Sequence, residues 1–69
     1  MSRLNYLGNN IKKYREAKGL TQIALAVRLE LSYEYICRVE RGQKCMSLRK
    51  LFELADILEV DFCKLMDFK

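Results

Sequence analysis

The sequence predicts an all-α fold of five short helices, on two observations. Apolar residues recur at intervals of three and four along the chain and never alternate over a sustained run, which is the helical period and not the strand period. The 69 residues include no proline and only three glycines, Gly8, Gly19 and Gly42, so few positions break a helix. A chain this short has room for one domain, residues 1–69. Its core is small enough that stability depends on close packing or a partner subunit.

Helix 1 is expected from about Leu4 to Lys18. Leu7, Ile11 and Tyr14, with Leu4 at one end, form its apolar stripe, while Lys12, Lys13 and Arg15 lie off it or at its edge. Gly19 fits the left-handed position that stops a helix. Helix 2 follows Thr21, whose hydroxyl suits an N-cap, and runs to about Leu29. Leu25, Ala26 and Leu29 make its buried face, with Ile23 at the core edge. Helix 3 follows Ser32 and ends near Arg41, before Gly42; Ile36 and Val39 face inward, with Tyr33 or Tyr35 flanking. The loop from Gly42 to Met46 leads to Ser47, the cap of helix 4, which carries Leu48, Leu51, Phe52, Leu54, Ala55 and Leu58. Asp61 then caps helix 5, expected from Phe62 to about Asp67, with Phe62, Leu65, Met66 and Phe68 apolar.

Composition narrows the function. Residues 1–50 hold eleven Lys/Arg and four Asp/Glu, a net of +7; residues 51–69 hold two and five, a net of −3. A basic front and an acidic tail suit a polyanion on one face and something else on another. No apolar run approaches the roughly 20 residues that span a bilayer, and the N-terminus lacks a signal-peptide core, so a cytoplasmic protein without a membrane partner is expected. The basic residues do not share one long amphipathic helix, which weakens a membrane-surface role. Cys37, Cys45 and Cys63 have no paired spacing and there is no histidine, so a metal site is not expected and the thiols read as reduced. Redox sensing by Cys37 would require an exposed thiol of lowered pKa. With no glycine-rich phosphate loop and no paired nucleophile and base, neither catalysis nor a cofactor or small-molecule ligand is expected.

The informative stretch runs from Thr21 to Arg41. Two helices are joined by three or four residues, Ala26 is small where they must cross, and Leu25, Leu29, Leu31, Ile36 and Val39 fill the wedge between them. That is the sequence form of a helix-turn-helix. From Leu7 to Leu65 the chain resembles the lambda-repressor-like (Xre-type) regulators. The resemblance rests on Ile11, Arg15-Glu16-Ala17-Lys18-Gly19-Leu20-Thr21-Gln22, Leu25-Ala26, Tyr35-Ile36-Cys37-Arg38-Val39-Glu40-Arg41-Gly42 and Ser47-Leu48, Leu51, Leu54-Ala55 and Leu58, in order and at matching gaps. It departs at Glu30 and Glu59, where the family has turn glycines; a left-handed non-glycine residue costs about 1 kcal/mol. The loop after Gly42 also lacks a proline common in the family. In that respect, and in Tyr35-Ile36 through Glu40-Arg41-Gly42, the chain is similar to restriction–modification controller proteins.

The resemblance implies a compact five-helix domain that binds double-stranded DNA sequence-specifically and regulates transcription. By spacing, helix 3 turns Ser32, Tyr33, Glu34, Cys37, Arg38 and Arg41 outward. Arg38 is the best base reader, because its planar fork pairs with guanine. Glu34 offers an acceptor to a cytosine amino group or repels phosphate in wrong registers, with a local ion pair as the alternative. Tyr33 suits a thymine methyl group or a phosphate, against partial core packing, and Cys37 completes the candidate base contacts. Gln22 resembles the family's phosphate-contacting glutamine; Ser32, Arg41, Gln43 and Lys44 are the other backbone candidates. Lys12 and Lys13 read as a solvated helix face. The resemblance also implies a structural ion pair between Arg15 and Glu40. A single module makes too few contacts for a unique site, so a homodimer on a palindromic operator is expected, with Phe62, Leu65, Met66 and Phe68 as its face. The competing class is a protein-interaction module of the same fold, an antitoxin or coactivator.

Overall fold

The structure, a computed structural model, describes residues 2–67. It consists of α1 (Arg3–Ala17), α2 (Gln22–Leu29), α3 (Tyr33–Glu40), α4 (Leu48–Leu58) and α5 (Phe62–Leu65), and no strand occurs among the described residues. The fold is therefore all-α, as the apolar period requires, with each boundary of α1–α3 and the start of α4 within one residue of expectation.

The starts are set by hydroxyls. Ser2, Thr21, Ser32 and Ser47 each take extended backbone, and the side-chain oxygen of each accepts from the N–H three residues on, at 3.0–3.2 Å. The ends of α1–α4 share one geometry. Gly19, Glu30, Gly42 and Glu59 all have φ between 56° and 78°. After each, the next N–H reaches back five residues: Leu20 to Arg15, Leu31 to Ala26, Gln43 to Arg38 and Val60 to Ala55, at 2.9–3.1 Å. Leu20, Leu31 and Val60 then pack on the core. The two turns without glycine thus have the same geometry as the two with it. Other contacts support both: Lys50 Nζ donates to the carbonyl of Leu29 at 2.7 Å, and Lys18 pairs with Glu59. The Lys18 ammonium holds the Glu59 carboxyl below its ordinary value.

Left-handed strain at Glu30 makes a stabilising substitution available. Glu30→Gly is expected to raise stability by about 0.5 kcal/mol, the steric cost removed less the chain entropy glycine adds to the unfolded state. In a domain this small that corresponds to a melting temperature roughly 2–4 °C higher. Glu59→Gly should gain less, because it also removes the Lys18 pair. A melting temperature for Glu30→Gly at or below wild type would reject the account.

Ile11, Leu25, Leu29, Ile36, Val39, Leu54 and Leu65 fill the centre and have essentially no exposed surface. Each large aliphatic buried there contributes about 1.5–3 kcal/mol. α1 packs on α3 and α5, α2 on α3 and α4, and α4 on α5, so α3 is gripped from two sides. Met46, a loop residue in the sequence reading, is a core residue.

Gly8 lies buried within α1, whose expected span already ran through it. Several expectations are corrected. Ile23 is 61% exposed instead of lying at the core edge, Leu4 is at the surface, and Tyr14 is only half-buried. α5 stops at Leu65, short of Asp67. Asp61 makes no side-chain cap bond, and the carbonyls of Leu65 and Asp67 are taken by Asn10. Among the described residues, no helix is long and apolar enough to cross a membrane.

Candidate nucleic-acid interface

Leu25, Ala26 and Leu29 of α2 meet Ile36 and Val39 of α3 in the core. With those residues turned inward, the eight-residue α3 presents Tyr33, Glu34 and Arg38 to solvent and Cys37 at the boundary. Arg41 follows at the end of the helix, also exposed. Arg38 and Glu34 are paired one turn apart, with 48% and 71% of their side chains exposed. A pair this exposed is worth about 0–1 kcal/mol, so it orients the guanidinium while leaving it able to exchange partners. The Tyr33 phenol is held above its ordinary pKa chiefly by a hydrogen bond with the Cys37 thiol, against the opposing charge of Arg41. Tyr33, Cys37 and Arg41 thus succeed one another at intervals of four along one side, with Glu34 and Arg38 beside them.

Beneath this surface lies the Arg15–Glu40 ion pair. Both residues are 7% exposed. Arg15 Nε donates to Glu40 Oε2 at 2.7 Å and Nη2 to Oε1 at 3.1 Å, while Nη1 donates to the Leu20 carbonyl at 2.8 Å. The facing carboxylate holds the guanidinium pKa above its usual value, against the effect of burial. Gln22 joins the network: its Nε2 donates to Glu40 Oε1 at 3.0 Å, and its Oε1 accepts from the Cys37 thiol at 3.4 Å. The side chain expected to face a phosphate is therefore held inward by two partners, with one amide N–H and the first-turn backbone of α2 left for an outside ligand. Cys37 likewise spends its donor on Gln22 and is only half exposed.

The loop after α3 is tied to the helix. Tyr35 Oη donates to the Cys45 carbonyl at 3.1 Å, and Lys44 Nζ lies 5.4 Å from the centre of the Tyr35 ring. Lys44 thus stays beside Ser32, Glu34 and Arg38 around one shallow depression. Of Tyr33 and Tyr35, the two candidates to flank the core, Tyr35 is the one that packs against it, and its anchoring hydroxyl has no periodic signature. Gln43 is exposed, and Ser32 has its hydroxyl engaged in capping.

The expected dimer face divides. Leu65 has no exposed surface, so it closes the core and is unavailable to a partner. Phe62 is half-buried and stacks on Phe52 with ring centres 4.5 Å apart. Met66 is 37% exposed, and Phe68 lies outside the described residues. The sequence reading had placed Phe52 and Leu48 simply among the apolar residues of helix 4, yet they are 50% and 59% exposed on α4. Their spacing of four, off the stripe formed by Leu51, Leu54, Ala55 and Leu58, was the available signal.

A family model described as helix-turn-helix (HTH_3) matches residues 11–65. The HTH-type transcriptional regulator y4dJ of Sinorhizobium fredii is 35% identical over 60 residues, 87% of this chain and 78% of that protein. The restriction-modification controller protein C.AhdI from Aeromonas hydrophila superposes with a TM-score of 0.83 at 37% identity, over 90% of this chain and 94% of its own. The clp gene regulator ClgR from Corynebacterium glutamicum superposes with a TM-score of 0.90 at 26% identity, over 96% and 70%.

Proposed function

The chain belongs to the HTH_3 helix-turn-helix family of DNA-binding transcriptional regulators, and on that footing we propose that it reads the major groove of a palindromic operator with α3, as a homodimer. The carrying observation is the joint protrusion of Tyr33, Glu34 and Arg38 from a helix whose opposite face is locked by α1 and α2. A recognition helix needs that rigidity, because a base edge is read by groups held to within fractions of an ångström. Arg38 takes a guanine; on entering the groove its guanidinium exchanges Glu34 for base acceptors, and Glu34 turns to a cytosine amino group. Tyr33 and the edge of Cys37 supply the apolar contact. Arg41, Lys44, Gln43, the Ser32 region and the N-terminus of α2 at Gln22 grip phosphates and set the register.

The proposed second copy docks through Leu48, Phe52 and Met66, which are 59%, 50% and 37% exposed, together with the half-buried Phe62 that stacks on Phe52. Two recognition helices then sit about 34 Å apart, one turn of duplex.

Selection of bound sequences from a random duplex library tests this reading; a two-fold symmetric motif is expected, and no enriched motif would refute it. Affinity should fall steeply with salt, by roughly a thousandfold or more between 50 and 200 mM for six or more phosphate contacts. Arg38→Ala should cost about 1–3 kcal/mol at one base pair of each half-site and relax the preference there. Equal weakening on every sequence would make Arg38 a phosphate ligand instead.

A further inference from the structure

Asn10 of α1 reaches the far end of the described chain. Its Nδ2 donates to the carbonyl of Leu65 at 3.0 Å and to that of Asp67 at 2.9 Å. An amide nitrogen has two N–H groups, and both are used. The receiving segment has little else to define its path. α5 is a single turn, its first residue lacks a side-chain cap, and a turn that short does not hold itself in water. Leu65 is sunk in the core, which fixes one point. The carbonyl of Leu65, which ends the helix, and that of Asp67, two residues beyond it, are fixed by Asn10. Phe62 and Met66 flank Leu65, so the angle at which they leave the surface follows from those two constraints.

We propose that Asn10 is a positioning residue for self-association, latching the C-terminal segment to α1 so that the faces of α4 and α5 form one surface for a second copy. This rests on the dimer reading above. Asn10 faces away from the bases in that reading, so its effect on DNA must pass through dimer assembly. A protein whose competent form is only partly populated shows a proportionally weaker apparent affinity, and the intrinsic affinity of the assembled form is unchanged.

The test uses the full chain with Asn10→Ala and the near-isosteric Asn10→Asp, which keeps the shape and loses both donors. Sedimentation across concentration should show self-association weakened about tenfold, the scale of two lost hydrogen bonds. DNA titrations should show weaker binding below the dimer dissociation constant and wild-type affinity above it. Amide exchange in residues 62–67 should quicken while α2 and α3 keep their protection. Self-association equal to wild type, or DNA affinity that stays low at saturating dimer, overturns the inference. So does loss of protection throughout, because Asn10 would then support the whole fold and not this segment. If wild type remains monomeric at every concentration, the dimer reading falls by itself. The latch is then judged on exchange alone, and unchanged exchange in residues 62–67 refutes it.

Discussion

Glu40→Ala is expected to remove roughly a third or more of the domain's stability. The carboxylate of Glu40 accepts from Arg15 Nε, Arg15 Nη2 and Gln22 Nε2 in a site that is 7% exposed. Truncation removes both carboxylate oxygens and with them all three bonds, leaving a buried guanidinium that, among the described residues, keeps the Leu20 carbonyl as its hydrogen-bond partner. Breaking one member of a buried pair costs about 3–5 kcal/mol, chiefly the desolvation of the charge left behind. A domain of this size has about 3–10 kcal/mol of stability in all, so the loss is a large share of it. The melting temperature should drop by roughly 15 °C or more, and DNA binding should vanish with it. A second variant separates the pair's net worth from the penalty of orphaning a charge. Arg15→Met combined with Glu40→Leu removes both charges and fills similar volume, and it should recover most of the lost stability. Wild-type melting of Glu40→Ala would reject the assignment, and a double variant as unstable as the single would reject its electrostatic cause.

The residues that were legible in the sequence are those whose role is periodic or local. Leu25, Ala26, Leu29, Ile36 and Val39 declare a buried face by spacing, and Thr21, Ser32 and Ser47 declare helix starts because a hydroxyl meets an N–H three residues on. Tyr33, Glu34 and Arg38 were legible as outward residues for the same reason, since a helix whose inward positions are known has its outward ones fixed. The missed features depend on contacts between elements distant in sequence. Asn10 meets Leu65 and Asp67 across more than fifty residues, and Lys50 caps α2 from α4. Gln22 was assigned outward by resemblance, but Glu40 and Cys37 engage it from two directions, which no pattern within α2 encodes. Leu65 was sorted with Phe62 and Met66 because the sequence shows three apolar residues in one turn; only packing decides that one of them points inward. Gly8 is the clearest instance. Local propensity marks it as a helix breaker, yet its reason for being glycine lies on α3.

That reason makes Gly8→Ala the second large effect. A methyl group at Gly8 would stand 2.5 Å from the carbonyl oxygen of Glu40 and 2.6 Å from that of Val39. Both are backbone atoms of α3 and cannot swing aside as a side chain can. In an isolated α1 peptide the substitution should raise helicity, because alanine gains about 1 kcal/mol over glycine in a helix interior. In the folded chain the same methyl must push α1 off α3, disturbing Leu7 and Ile11 as well as the Arg15–Glu40 bonds two turns further on. Overpacking of this kind costs about 1–3 kcal/mol or more, and displacement of rigid backbone puts it at the upper end, so a net destabilisation of about 2 kcal/mol is expected after the propensity gain. Urea midpoints for the domain and circular dichroism of the peptide should therefore move in opposite directions. A tilt of α3 would also misalign Arg38 with its base, so DNA affinity should fall even at temperatures where Gly8→Ala remains folded. If the domain's midpoint rises with the peptide's helicity, α1 and α3 do not approach as closely as Gly8 allows, and the rigid support for the recognition helix has to come from α2 alone.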